Sequence, residues 1–221
     1  MMQVKNKTTW LVSLVIVYLV ISDGLDFFLN DLLHLLNSLT VTILINVVFS
    51  IFIIQIYKRQ VTNGLNIKPK ILLIIIPVIG LLSIELYDFL TMSILSVNPG
   101  VSQSSFLGEV PSCLLVPFVL VFAPITEELI FQQIIQGQLL TKIFKKENRF
   151  SKWIRILIVT FLFSLVHGFS WGLGDLKTFV VTVIYYFDLI FLAIIYEYSD
   201  RNITITIFTH VLANALATMT F

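Results

Sequence analysis

Apolar runs about as long as a membrane is thick decide what this chain can become. A helix needs about 20 predominantly apolar residues to cross hydrocarbon. Seven stretches approach that length, near residues 8–22, 40–57, 70–90, 112–140, 153–170, 178–198 and 202–220. No water is present in lipid to satisfy backbone groups, so each run must close its own hydrogen bonds as a helix. The expected fold is all-α: a polytopic membrane helix bundle of about seven transmembrane helices, forming a single integral membrane domain over 1–221. Composition agrees, with 57% of the 221 residues hydrophobic and 12% charged. Soluble domains carry about 25% charged residues, and a soluble fold could not hide this much apolar surface. A net charge of +1 gives no reason to expect a nucleic acid partner. The lipid bilayer is the expected partner.

The first run follows Lys5 and Lys7, as a secretory signal would. No small-x-small cleavage site follows it, and further spans come later, so it reads as a retained first helix. The connecting segments then alternate in charge. Asp23, Asp26 and Asp31 fill the first; Lys58, Arg59, Lys68 and Lys70 the second; Glu85, Asp88 and Glu109 the third region; Lys142, Lys145, Lys146, Arg149, Lys152 and Arg155 the fourth. Lys and Arg in short loops stay on the cytoplasmic side. A cytoplasmic N-terminus with an odd number of spans places every basic loop inside. Residues 25–39 have apolar positions at helical spacing with acids between, which suggests an amphipathic surface helix carrying a structural His34.

Ionisable residues inside a span are costly, and they usually face a cavity and do a job. Three runs contain such groups. The fourth has Glu127 and Glu128, after Pro117 and Pro124, which predict a bend or break. The fifth has Phe163 and His167. The seventh has His210 and Asn214, four apart and so on one helix face. Adjacent glutamates point about 100° apart on a helix. They are therefore expected to be unequal: one can line a cavity while the other is held by its own turn, and Glu128 stands one turn from Gln132, within hydrogen-bond reach.

Glu127-Glu128-x-x-x-Gln132, then Phe163-x-x-x-His167, then His210-x-x-x-Asn214, on successive spans, resembles the CAAX protease and bacteriocin-processing (Abi) family. The resemblance covers about residues 112–221, leaving 1–111 as N-terminal transmembrane helices. It implies a four-helix catalytic core in the C-terminal half and an intramembrane endopeptidase acting on a peptide or protein substrate in the membrane. It also implies the site residues: Glu127 as the base that activates water, His167 assisting, His210 and Asn214 stabilising the oxyanion, and Glu128 in support. A bacterial cell membrane is the implied location. One departure stands out. Gln132 occupies the position where the family pattern has arginine, and it brings no charge.

Other readings remain beside this one. Small bacterial members also include bacteriocin self-immunity proteins, so a non-catalytic or weakly catalytic immunity protein on the same fold is the main alternative. No cofactor is required by the glutamate-and-water chemistry. Two histidines and a glutamate could also hold zinc, although no His-Glu-x-x-His is present. Tyr87-Asp88 and Gly172-Leu173-Gly174-Asp175 superficially suit an aspartyl intramembrane protease, but the second motif falls in a turn, where Gly and Asp are ordinary. The single cysteine, Cys113, is expected to be a small apolar packing residue.

Overall fold

The computed structural model describes residues 4–21, 38–95, 112–172 and 176–219. Most of the amphipathic segment at 25–39, with His34, lies outside the described residues. So does the turn containing Asp175. Every regular element among the described residues is helical. Seven helices follow one another: α1 (Val4–Leu19), α2 (Ser38–Gly64), α3 (Leu72–Leu95), α4 (112–143), α5 (Arg149–Gly172), α6 (Leu176–Tyr198) and α7 (Ile203–Met219). The second to sixth contain segments long and apolar enough to cross a membrane; α1 and α7 are apolar but shorter. The all-α, seven-helix expectation therefore holds, and the chain is an integral membrane protein.

The bundle is built for lipid. Val48, Phe52, Leu82, Phe89 and Ile94 are more than half exposed, while Asn46, Ser50, Thr126, Gln132 and Gln136 are buried. A water-soluble protein would mostly reverse that distribution. Cys113 is exposed rather than packed inside. It sits in the first turn of α4, where an apolar side chain can face lipid at no cost.

Several helices depart from a plain α winding, and each departure has a local cause. In α4 the prolines do not break the helix. The chain instead widens into π-helix over Phe118–Phe122, returns to α over Ala123–Glu128, and widens again over Leu129–Leu140. Proline lacks an N–H and crowds the carbonyl four residues back. A shift to i→i+5 bonding just before Pro124 moves that carbonyl out of the α register. In α6 a 3₁₀ turn occupies Tyr186–Leu189. Carbonyls near this change of pitch find outside donors: Tyr87 Oη donates to Ile184 O at 2.7 Å and Ser164 Oγ to Tyr186 O at 2.9 Å. The second helix runs on past the expected residue 57 to Gly64. Its last carbonyls are satisfied from the next layer, by Thr204 Oγ1 to Val61 O at 2.6 Å and Asn202 Nδ2 to Gly64 O at 3.0 Å.

Helix α7 packs against α2, α3, α4 and α6. Its close approach to α3 needs Gly80: a Cβ there would lie 2.6 Å from Thr209 Cγ2 and 2.5 Å from Ile195 Cδ1 on α6. Small residues allow such close approach in membranes, where dispersion rather than water release drives helix association. On the other side of the bundle an aromatic column crosses the core. Tyr18 meets Phe131 edge-on at 5.9 Å, and Phe131 stacks on Phe163 at 4.0 Å.

Alternating topology is visible in contacts between chain ends. Lys142 Nζ donates to Thr8 Oγ1 at 2.8 Å, and Arg201 Nη2 to Glu147 Oε1 at 2.8 Å. With the Asn202–Gly64 bond, these gather the starts of α1 and α7 and the ends of α2, α4 and α6 at one end. The same end holds an ion network that corrects one sequence expectation. Arg155, counted above as a loop charge, is fully buried. It pairs with buried Glu197 through two nitrogens, with Glu147 at 3.0 Å, and donates to Phe144 O at 3.0 Å. Gln136 Nε2 also donates to Glu197 Oε2, at 3.0 Å. Glu147 lies in the loop outside the spans; its hydrogen bond to Arg201 holds the carboxyl below the usual carboxylate range.

Candidate active site

The α segment between the two π stretches carries Glu127 and Glu128. It is clamped on one side by Thr126, whose Oγ1 lies 2.6 Å from Ser50 Oγ on α2. The two glutamates diverge as their spacing requires. Glu128 is fully buried, and its Oε1 lies 2.9 Å from His210 Nδ1. The Glu127 side chain keeps 17% of its surface accessible, and its Oε2 lies 3.6 Å from His210 Nε2. One imidazole thus stands between two carboxyls, touching one and facing the other.

This corrects the expected role of Gln132. Glu128 does not turn to Gln132 but crosses to α7. The Gln132 amide is fully buried, and neither its nitrogen nor its oxygen has a hydrogen-bond partner among the described residues. The reason is local. From Leu129 the helix is π-wound, so the residue four positions on no longer stacks over Glu128 as it would in an α-helix.

His167 borders the cluster without bonding to it in the contacts described. The Phe163 carbonyl accepts from its Nδ1 at 3.1 Å, which leaves Nε2 as an acceptor in the neutral ring. Its ring lies 4.5 Å from that of Tyr186 and 5.1 Å from that of Phe163. Phe163 in turn meets His210 at 6.2 Å, so this one aromatic ring touches both histidines. Asn214 uses an Nδ2 hydrogen to reach Val119 O at 2.9 Å. The accepting carbonyl belongs to the first π stretch, and the bond ties α7 to it.

The structure thus joins Glu127, Glu128 and His210 directly, places His167 one aromatic ring away, and gives Asn214 an anchoring bond. Sequence reading missed Asp188. It is buried in the 3₁₀ turn of α6, near enough to His210 to interact electrostatically. Its Oδ1 has no hydrogen-bond partner among the described residues. The signal was present: Asp188 is an ionisable residue inside an apolar run. For the zinc variant, the donors divide unfavourably. His210 Nδ1 is engaged by Glu128, and among the described residues no group of three or more His, Cys, Asp or Glu is arranged to hold a metal ion.

Charge placement in this cluster follows from burial. A net-charged Glu128–His210 pair would be costly in so dry a place, so the neutral pair is favoured. That pair shares one proton in either of two ways: Glu128–OH to Nδ1, or Nδ1–H to the carboxylate. In both, Nε2 carries a hydrogen and points toward Glu127. The arrangement can therefore offer a carboxylate acceptor and an N–H donor side by side, across a 3.6 Å gap.

A seven-helix apolar bundle with a carboxyl–imidazole cluster in its interior defines a polytopic integral membrane protein with an acid–base site. Residues 109–216 match the family model described as "Rce1-like: Type II CAAX prenyl endopeptidase Rce1-like", in agreement with the CAAX protease and bacteriocin-processing family that the sequence motifs resemble. The match includes all five residues expected at the site and leaves α1–α3 outside. At the level of the family, the match supports a CAAX protease type of intramembrane peptidase. Searches of curated proteins and of solved structures gave no match.

Proposed function

We propose that the chain is an intramembrane endopeptidase in which Glu127 activates the water that attacks a peptide bond. The observation that carries this reading is the unequal pair of glutamates around His210, one sealed and bonded, the other partly open at 3.6 Å. Glu127 as carboxylate takes a proton from water. His210 Nε2–H donates to the oxygen on which negative charge develops, where a pre-aimed donor in a dry site is most effective. Glu128 holds the ring in place through Nδ1, as a buried carboxylate orients a catalytic imidazole. The proton that Glu127 takes from water goes on to the leaving amine, by way of His167 Nε2, which accepts it as the open acceptor of the neutral ring and then releases it. Asn214 keeps α7 in register with α4 and has one amide hydrogen left for the substrate carbonyl. The four C-terminal helices, 112–221, form the catalytic core, with a peptide or protein in the bilayer as substrate. The excess of Lys and Arg in the short loops supports a cytoplasmic gathered end and N-terminus.

The test uses the chain in liposomes with a set of single-span peptides. Glu127→Gln should cut cleavage by about 10²–10⁴, the usual contribution of a positioned general base. A second readout is protection of cells against a co-expressed bacteriocin, which addresses the immunity role. Loss of both activities in Glu127→Gln supports proteolysis as the basis of function. Protection that survives the change would sink a catalytic account of immunity.

A further inference from the structure

One cavity formed by the described residues is not at the Glu–His cluster. It lies at the gathered end, between the end of α2, the π stretch of α4 and the turn from α6 to α7, with a volume of about 540 Å³. Ligand sites typically occupy roughly 300–1,000 Å³. Neutral hydrogen-bonding groups dominate its lining: Gln60, Asn63, Asn66, Gln133, Ser199 and Asn202. The Ser199 hydroxyl oxygen is buried with no hydrogen-bond partner among the described residues. The turn that forms one wall is strained. Asp200 and Arg201 both have left-handed backbones, φ 54° and 58°, which residues other than glycine adopt only where surrounding contacts hold them. Hydrogen bonds hold the strain, from Arg201 N to Tyr196 O at 2.9 Å and from Asn202 Nδ2 to Gly64 O at 3.0 Å. At the second contact a Cβ on Gly64 would fall 2.3 Å from Asn202 Oδ1 and 2.1 Å from Thr204 Oγ1, so the wall closes only over glycine.

The chemistry of the lining selects among ligands. An anion gains little, because the Arg201 charge is shared with Glu147 and Glu197 and Asp200 lines the same cavity. A sugar gains no stacking face, since the one aromatic residue, Tyr196, is 1% exposed and spends its hydroxyl on Gln133 Oε1 at 3.1 Å. Side-chain amides both donate and accept, as each peptide unit does. Gln133 follows Glu128 by five residues on the same helix, at most about 7.5 Å along the axis. Two or three residues of extended chain cover that distance.

We propose that this cavity docks an extended, uncharged segment of the substrate peptide, on the basic-loop side of the bond to be cut. Its identity as substrate rests on the peptidase reading; the docking itself does not. The experiment uses the full chain carrying Glu127→Gln, in lipid nanodiscs, with p-benzoylphenylalanine at Ile67, which also lines the cavity. The probes are a synthetic apolar helix of about 20 residues with a Ser/Asn/Gly tail, the same helix with an Asp tail, and phosphatidylglycerol in the disc. Crosslinking to the uncharged tail is expected, falling at least ~5-fold in Gln60→Ala/Asn63→Ala/Asn66→Ala as roughly 1 kcal/mol or more of hydrogen bonding is lost. All three positions are exposed, so the variant keeps its fold. Equal crosslinking in that variant, or preference for the Asp tail or the lipid, would overturn the proposal. Crosslinking to the uncharged tail without cleavage of any peptide by the wild-type chain supports the docking site and counts against the peptidase reading.

Discussion

Single side chains account for most of what is unusual in this protein. Glu127 and Glu128 were legible as unequal because adjacent helical residues must diverge, and His210 decides which is which by bonding Glu128. What could not be read was that Gln132 does not meet Glu128, because an i,i+4 inference presumes 3.6 residues per turn and the helix there is π-wound. With both amide atoms orphaned in a dry core, Gln132 is a liability of about 1–3 kcal/mol per group. Gln132→Leu should therefore be neutral or stabilising by about 1 kcal/mol in unfolding assays in detergent. A loss of stability would show that the amide has a partner. Arg155 behaves oppositely. Removing its buried carboxylate in Glu197→Ala leaves Arg155 with only the half-exposed Glu147 as an acid partner and should cost up to about 3–5 kcal/mol, whereas Arg155→Met/Glu197→Leu should recover most of that loss. Equal unfolding temperatures for the single and double variants would contradict this.

Helices were readable by length, and their internal winding was not. Apolar runs predicted α1–α7 within a few residues at most ends, because lipid demands a self-satisfied backbone wherever such a run occurs. The π stretches of α4 and the 3₁₀ turn of α6 leave no mark on hydropathy, and the prolines predicted a break where the chain changes pitch instead. Asp188, which sits in that 3₁₀ turn, was visible as a charge inside an apolar run, but its approach to His210 was not. Helix contacts were equally silent, and Gly80 is the clearest case. Gly80→Leu should destabilise by at least ~1–3 kcal/mol, the usual cost of overpacking, because Thr209 and Ile195 already occupy the space. Thermal unfolding in detergent measures it. A variant as stable as the parent would mean α3 and α7 are not held together at this point. Since α7 carries His210, the same variant should also lose activity.

For the chain as a whole, charge and contact agree on a layout. The basic segments at 58–70 and 142–149 share one end of the bundle with the start of α1, since two crossings separate each from the one before. Cysteine placed at Lys146 or Asn66, in a Cys113→Ala background, should react with impermeant maleimide only from the cytoplasmic face. Reaction from outside at either position would reverse the orientation. The site lies within the half that matches the CAAX protease family. Yet α1 and α2 complete its surroundings, through Tyr18 on Phe131 and Ser50 beside Thr126.

The central claim is that Glu127 is the base and Glu128 positions His210. It is tested most directly by comparing cleavage of one membrane peptide by Glu127→Gln and Glu128→Gln proteins in liposomes. Glutamine at 128 can still hold His210 Nδ1, whereas glutamine at 127 cannot accept a proton from water. The account predicts a fall of about 10² or more for Glu127→Gln and a fall of about 10-fold or less, one neutral hydrogen bond replacing another, for Glu128→Gln. Full cleavage by Glu127→Gln, or a larger loss at Glu128 than at Glu127, would contradict it.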